Sequence, residues 1–442
     1  MARTPLEPWI RARIGLAESE PFLRSALERY QLRKLRETIA HARASSSFYR
    51  QQLSDCAVPG SLVDLARLPF THPADLQKDE RRFLCVSPRE IERIVTLHTS
   101  GTTDSPKRLH FTADDLERTV DFFHHGMATM VQPGDKVLIL MPGELPGSVG
   151  DLLVKGLARF NVEGIAHGLV RDAGQVLNDV MTMKVNCLVG IPVHLLALAR
   201  HPAASTVPVG HLRSVLLSAD YVPEAIVHEI SNVWGAAVFN HYGMTEMGLG
   251  GAVECDQRCG YHVREADLLL EIVDPVGGAR LPDGEVGEIV FTTLTRKGMP
   301  LIRYRTGDLA RFLPDPCPCG SVLPRLERVT GRLANCVRLA DGALLTMAAL
   351  DEALFPLPFL LNFQPVLRSH NGLEALDLII ETVASACDET AGPIRQALLQ
   401  IPAVAAACSK KRLLLGAIEP GSTAISGSIK RTIIDRRKEE QC

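Results

Sequence analysis

The 442-residue sequence has no apolar run near the ~20 residues that cross a bilayer. Its opening, MARTPLEPWIRARIG, is charged within three positions and contains no apolar signal region. Neither a membrane span nor a secretory leader is expected, and a cytoplasmic protein is. Net charge is also scarce: 48 Lys and Arg against 51 Asp and Glu leave −3 at pH 7. No global basic field is available to gather nucleic acid or anionic lipid. No GxxxxGK[ST] occurs, which removes a Walker-type phosphate loop, and no GxGxxG follows a strand-like run, which removes a dinucleotide fold. Repeats and low-complexity tracts are missing too. A globular chain remains, 46% hydrophobic and long enough for two or three domains.

Residues 1–90 read as mainly helical, with runs such as RYQLRKLRETIAHAR carrying Leu at helical spacing and basic residues on a solvated face. From about 94, strand-length apolar runs (KVLILM, VEGIAHG, NCLVGIP, LRSVLLSAD, AAVFNHYG) alternate with helix-length amphipathic segments, the pattern of βαβ units and a mostly parallel sheet. From about 268, strand-like segments dominate (DLLLEIVDP, GEVGEIVFTTL, LIRYRTGDLARFL), and after GRLAN the alternation resumes. The expected fold is α/β: a large N-terminal domain over 1–332 (helical 1–90, α/β 91–267, β-rich 268–332), a hinge near 333–335, and a small α+β domain over 336–442.

Residues 97–108, LHTSGTTDSPKR, surround Gly101 with hydroxyl residues and end in Lys107. A sharp turn there would aim N–H groups and hydroxyls one way, a nest for a polyphosphate with lysine as a mobile point charge. The same composition also suits an ordinary surface turn. Three later stretches weigh on the choice: HYGMTEMG (241–248), LIRYRTGDLA (301–310) and VTGR (329–332). In this order and spacing, with TSGTTDSPK in front, they resemble the core motifs of the adenylate-forming superfamily of acyl-CoA synthetases. GEVGEIVFTTLTRKGMPLIRYRTGDL followed by CPCG and PRLERVTGR looks like its phenylacetate-CoA ligase branch.

A carboxylate attacking the α-phosphate of ATP requires held β and γ phosphates, a fixed ribose and neutralised phosphoryl charge. Thr99, Ser100, Gly101, Thr102, Thr103 and Lys107 suit the first task. Asp308, in a Thr-Gly-Asp turn, can accept from both ribose hydroxyls. Glu246 offers hard oxygen for Mg²⁺, Thr245 a donor to the α-phosphate, Tyr242 beside Gly243 a ring for adenine, and Arg332 a reach to ribose or phosphate. The resemblance implies the same roles at these positions. It also implies a mobile C-terminal domain bearing a lysine that stabilises the adenylation transition state.

The sequence departs from the family pattern in several places. Asp104 stands where the family loop usually has Gly, and Leu333-Ala334-Asn335 lacks the acidic residue usual after the Gly-Arg. Ser426-Gly427-Ser428 stands where the lysine is expected, and Lys430 comes two residues later. Either the loop is re-registered and Lys430 reaches the same place, which is the favoured reading, or Lys430 is a surface residue.

Cysteines form two close groups, Cys255, Cys259 and His262 in ECDQRCGYH, and Cys317 and Cys319 in CPCG. In a reducing compartment such groups are metal ligands more often than disulfides. The expected set is Cys255, His262, Cys317 and Cys319 on a structural zinc, with Cys259 the spare.

The expected function is ATP-dependent activation of a carboxylic acid to an acyl-adenylate followed by transfer to CoA, with an aryl or arylacetic acid as substrate. The alternatives are an adenylating enzyme without CoA transfer and an inactive zinc-stabilised binding protein. The acid, ATP and CoA are the partners expected, with a homodimer allowed and neither nucleic acid nor membrane. MPGELPGS and LSADYVP are the candidate lining of the acid pocket, in which Glu144 would repel an acid unless it faces solvent or pairs with a cation.

Overall fold

The computed structural model describes residues 3–97, 106–333, 336–370, 373–383, 390–421 and 431–437. The chain divides into two compact units: Met1–Gly134 with Gly143–Gly164 and Phe239–Val329, and Asp135–Pro142 with Ile165–Val238 and Thr330–Cys442. Among the described residues no helix is long and apolar enough to cross a membrane.

In the first unit the N-terminal region is helical, as its Leu spacing predicts. Helix Arg24–Ser45 buries Leu27, Tyr30, Leu35, Ile39 and Ala42 and leaves its basic face in water. The stretch 91–112, read as the start of parallel units, is instead an antiparallel hairpin of Ile91–Leu97 with Lys107–Thr112. Leu97 pairs with Lys107, so Lys107 opens the returning strand. That strand runs straight into helix Ala113–Met127, whose start is fixed by a reciprocal Thr112 and Asp115 capping box.

A second antiparallel ladder runs Leu268–Val273, Gly287–Thr293, Tyr304–Ala310. The helical region is locked onto it by polar bonds as well as packing. The Ile302 N–H donates to the Tyr49 hydroxyl at 2.9 Å, and Thr71 takes the Arg305 N–H at 3.0 Å while giving its own to the Arg303 carbonyl at 2.9 Å. Arg303 is 2% exposed; its guanidinium holds both oxygens of Glu271 at 3.0 and 3.1 Å and lies 4.0 Å over the Phe70 ring. This satisfied, buried pair makes the ladder a rigid platform.

In the second unit, Lys136–Leu140, Cys187–Gly190 and Ser214–Leu217 form a parallel ladder. Residues 187–190 and 214–217 are buried throughout, as expected where a parallel sheet is covered on both faces. Its C-terminal part is a sheet of four strands, Leu360–His370, Leu373–Thr382, Leu413–Pro420 and Ile434–Asp435, with helices Ala391–Leu399 and Pro402–Ser409. There Arg431 is almost enclosed. It reaches Asp351 at 2.7 Å and Asp220 at 3.2 Å, with its guanidinium over the Phe355 and Phe363 rings at 4.9 and 5.5 Å.

Candidate active site

Three of the motifs converge within the first unit. Thr245–Met247 form a single 3-10 turn after strand Ala237–Tyr242. Gly243 lies between them because nothing larger fits: a Cβ there would sit 2.4 Å from the Leu249 carbonyl oxygen and 3.0 Å from Gly250. The turn buries Glu246, 2% exposed, and leaves Thr245 half-buried.

The Glu246 carboxylate meets Lys107, whose ammonium donates to Oε1 at 2.5 Å. The Tyr304 hydroxyl lies 3.2 Å from the same oxygen and 3.3 Å from the Lys107 nitrogen. Arg296 ties the turn to the lysine-bearing strand. It donates to the Glu246 carbonyl at 2.8 Å and to the His110 carbonyl at 3.1 Å, over the Phe111 ring. Burial lowers the pKa of Arg296 and takes that of neighbouring Arg264 down to about 10, while nearby carboxylates oppose the shift. Both guanidiniums remain cationic at neutral pH, so the floor of the site favours anions. The small cavity beside the turn, lined by Arg118, Arg264 and Arg296, measures about 20 Å³ and takes about one water, far too little for an organic acid.

Asp308 reaches the site by a different device. Its Thr-Gly-Asp segment, read as a turn, is a bulge inside strand Tyr304–Ala310: Thr306, Gly307 and Asp308 stand opposite Ile289 alone. Gly307 has φ +75°, its N–H donates to Glu288 at 2.9 Å, and the Asp308 N–H donates to Thr306 Oγ1 at 3.0 Å. The bulge re-aims Asp308, whose carboxylate accepts from the Tyr242 hydroxyl at 3.0 Å. Tyr242 is 6% exposed, with its ring 6.3 Å from that of Tyr261.

Tyr304 was not singled out in the sequence. Strand periodicity carries the signal, since residues 304 and 308 share one face of a strand that alternates buried and half-buried positions. Arg332 lies in the short strand Gly331–Arg332 of the second unit. Thr99 to Thr103, Asp104 and Lys430 fall outside the described residues. Glu144 is exposed, which removes the repulsion expected had it lined an acid pocket.

The cysteine groups also meet. Strands Ala252–Glu254, Tyr261–Val263 and Arg325–Leu326 pair so that Val253 and Arg325 flank His262. Donor atoms of Cys255, His262, Cys317 and Cys319 lie within 4.8 Å of one another, and all four residues are buried. Cys255 Sγ is 3.7 Å from Cys317 Sγ, and Cys319 Sγ is 3.5 Å from His262 Nε2. Cys259 stands aside, its sulfur accepting from Arg325 at 3.1 Å. Burial opposes a charged imidazole at His262, but the thiols of Cys255 and Cys319 outweigh it and raise its pKa to about 9. Burial likewise opposes a thiolate at Cys319, yet His262 and backbone N–H groups bring it down to about 6.

The AMP-binding enzyme family model matches residues 26–294. Among curated proteins, the chain is 29% identical to the phenylacetate-coenzyme A ligase of Thermus thermophilus over 82% of this chain and 83% of that one. It is 26% identical to that of Escherichia coli, over 80% and 82%. A crystal structure of 2-hydroxyisobutyryl-CoA ligase in the postadenylation state, in complex with R3-HIB-AMP, superposes with a TM-score of 0.78 at 20% identity, covering 97% of this chain and 95% of that one.

Proposed function

The chain belongs to the AMP-binding enzyme family, and on that premise we propose that it is an AMP-forming acid–CoA ligase acting on an aryl or arylacetic acid. The supporting observation is the meeting of Lys107, Glu246 and Tyr304 on one carboxylate oxygen, which joins three separate motifs in a buried, anion-favouring site. The likeness to phenylacetate-coenzyme A ligases over most of the chain supports the substrate class.

In the first half-reaction a carboxylate oxygen attacks the α-phosphorus of ATP, an O–P bond forms and pyrophosphate leaves. In the second, the CoA sulfur attacks the acyl carbon, the C–S bond forms, the C–O bond to AMP breaks and the thiol proton is released. Lys107 is assigned to the β and γ phosphates, and Asp308 to the ribose hydroxyls, accepting from them in place of its bond with Tyr242. Glu246 fits Mg²⁺, which neutralises phosphate charge and needs few protein ligands. Thr245 is assigned to the α-phosphate, Tyr242 and Gly243 to the adenine side, and Thr99, Ser100, Gly101, Thr102 and Thr103 to the polyphosphate. Lys430 is assigned to the developing phosphoryl charge and Arg332 to ribose or phosphate.

Cys255, His262, Cys317 and Cys319 are proposed to hold a structural zinc. A tetrahedron with Zn–S near 2.3 Å and Zn–N near 2.05 Å has S···S and S···N edges of about 3.8 and 3.5 Å. The observed separations of 3.7 and 3.5 Å support that set. Four protein ligands leave no open position, so the metal's role is to fold the loop, not to react.

The test is a panel of carboxylic acids assayed for pyrophosphate release and, separately, for the CoA thioester. Acid-dependent release together with thioester supports the reading. Release without thioester would leave an adenylating enzyme that does not use CoA, and no release with any acid would leave a binding protein.

A further inference from the structure

Glu246 and Lys107 stand 139 positions apart, yet they meet at 2.5 Å between ammonium and Oε1. The Glu246 side chain is 3% exposed and that of Lys107 14%. A carboxylate this deep needs a positive partner at all times, because water is not there to solvate it. Arg296 gives its hydrogen bonds to the Glu246 and His110 carbonyls and lies over an aromatic face, so it acts on the Glu246 carboxylate through charge alone. The cation in contact with Oε1 is Lys107. A divalent cation on Oε1 would be in direct contact with the ammonium's position, and two cations at that range repel strongly in a low-dielectric site.

We propose that Lys107 is a built-in counter-ion that occupies the divalent-cation position of Glu246 until a polyphosphate draws it away, so that metal and nucleotide bind as a coupled pair. Tyr304 is the positioning residue of this exchange. Its hydroxyl, fully buried on the rigid strand, contacts both the ammonium and Oε1, so it keeps the carboxylate aimed once the ammonium has moved to phosphate. The exchange conserves charge at the carboxylate: one cation leaves for the more negative phosphates as another arrives. The lysine stem allows this, since an ammonium on four carbons moves several ångströms without backbone change. The inference rests on the reading of Glu246 as a metal ligand and Lys107 as a phosphate ligand.

The experiment uses full-length protein preloaded with zinc and measures Mn²⁺ retention by electron paramagnetic resonance, with and without ATP. The parent should retain no Mn²⁺ at sub-millimolar concentration alone and should retain it with ATP. Lys107→Met should bind Mn²⁺ without nucleotide, at least about 10-fold more tightly than the parent, and Mn²⁺ should raise the melting temperature of that variant but not of the parent. The double variant Lys107→Met/Glu246→Gln should lose this binding. Tyr304→Phe should still exclude Mn²⁺ without nucleotide and should weaken retention with ATP by about 10-fold, the scale of a hydrogen bond to a charged group. Lys107→Gln serves the same comparison should the Met variant fail to fold. Equal nucleotide-free Mn²⁺ binding by parent and Lys107 variants overturns the inference. If Glu246→Gln leaves ATP-dependent retention unchanged, the reading of Glu246 as metal ligand falls, and the inference with it. If Glu246→Gln abolishes that retention while the Lys107 variants match the parent, only the inference falls.

Discussion

The Tyr242 hydroxyl donates to the Asp308 carboxylate at 3.0 Å, across 66 positions of sequence and with both residues nearly buried. In the proposed function that carboxylate accepts from the ribose hydroxyls of adenosine in place of the tyrosine. Asp308→Asn should lower kcat/KM for ATP by about 10- to 100-fold, the scale of charge-assisted hydrogen bonds, and leave KM for the acid within about 2-fold. Tyr242→Phe, which keeps the ring, should change either value by less than about 10-fold. Steady-state kinetics with each substrate varied checks both, and an Asp308→Asn enzyme with unaltered ATP kinetics would remove Asp308 from the nucleotide site.

Cys317→Ser should remove one ligand of the proposed zinc set. The expected outcome is a fall from about one zinc per chain to near none by elemental analysis, with a lower melting temperature. Cys259→Ser should keep its zinc, because its sulfur faces Arg325. A metal-free parent that stays folded and active would contradict the assignment.

Arg431 compensates two carboxylates at once, the buried Asp351 and the half-buried Asp220. Arg431→Met keeps the bulk against Phe355 and Phe363 but strands the charges, and it should destabilise by about 3–5 kcal/mol in denaturant unfolding. Adding Asp351→Asn to that variant should recover part of the loss.

Burial holds His194 near a pKa of about 4, and burial together with the charge of Arg264 does the same for His241. Both lie below the unfolded value of about 6.5, so the unfolded chain takes up these protons first. The stability they contribute is fully present above pH 6.5 and is lost as pH falls toward 4. Melting temperature measured across that window should decline, and His194→Phe should flatten the slope. An unaltered slope would show that other groups set the acid limit.

The motif-bearing loops were legible in the sequence because the chemistry demands particular residue types close together: Thr-Glu in one turn, Thr-Gly-Asp in one segment, Cys-Pro-Cys in another. Alternating apolar runs likewise announced the parallel ladder at 136–217. The relations between segments were not legible. Arg296 binds the carbonyl of His110, 186 positions away, and nothing local to either residue predicts it. The bulge that aims Asp308 exists because Gly307 can take a positive φ opposite a strand whose own sequence carries no matching signal. The antiparallel hairpin at 91–112 was missed because a half-buried two-stranded ribbon shows the same short apolar runs as a strand of a larger sheet.

Acyl-adenylate chemistry is the central claim, and oxygen transfer tests it most directly. Phenylacetate labelled with ¹⁸O in both carboxylate oxygens is turned over with ATP and CoA, and the products are read by mass spectrometry. One ¹⁸O should appear in AMP and the other in the thioester carbonyl, because the oxygen that attacks phosphorus stays with AMP when sulfur displaces it. Label in inorganic phosphate with ADP, or turnover that leaves AMP unlabelled, would contradict the account.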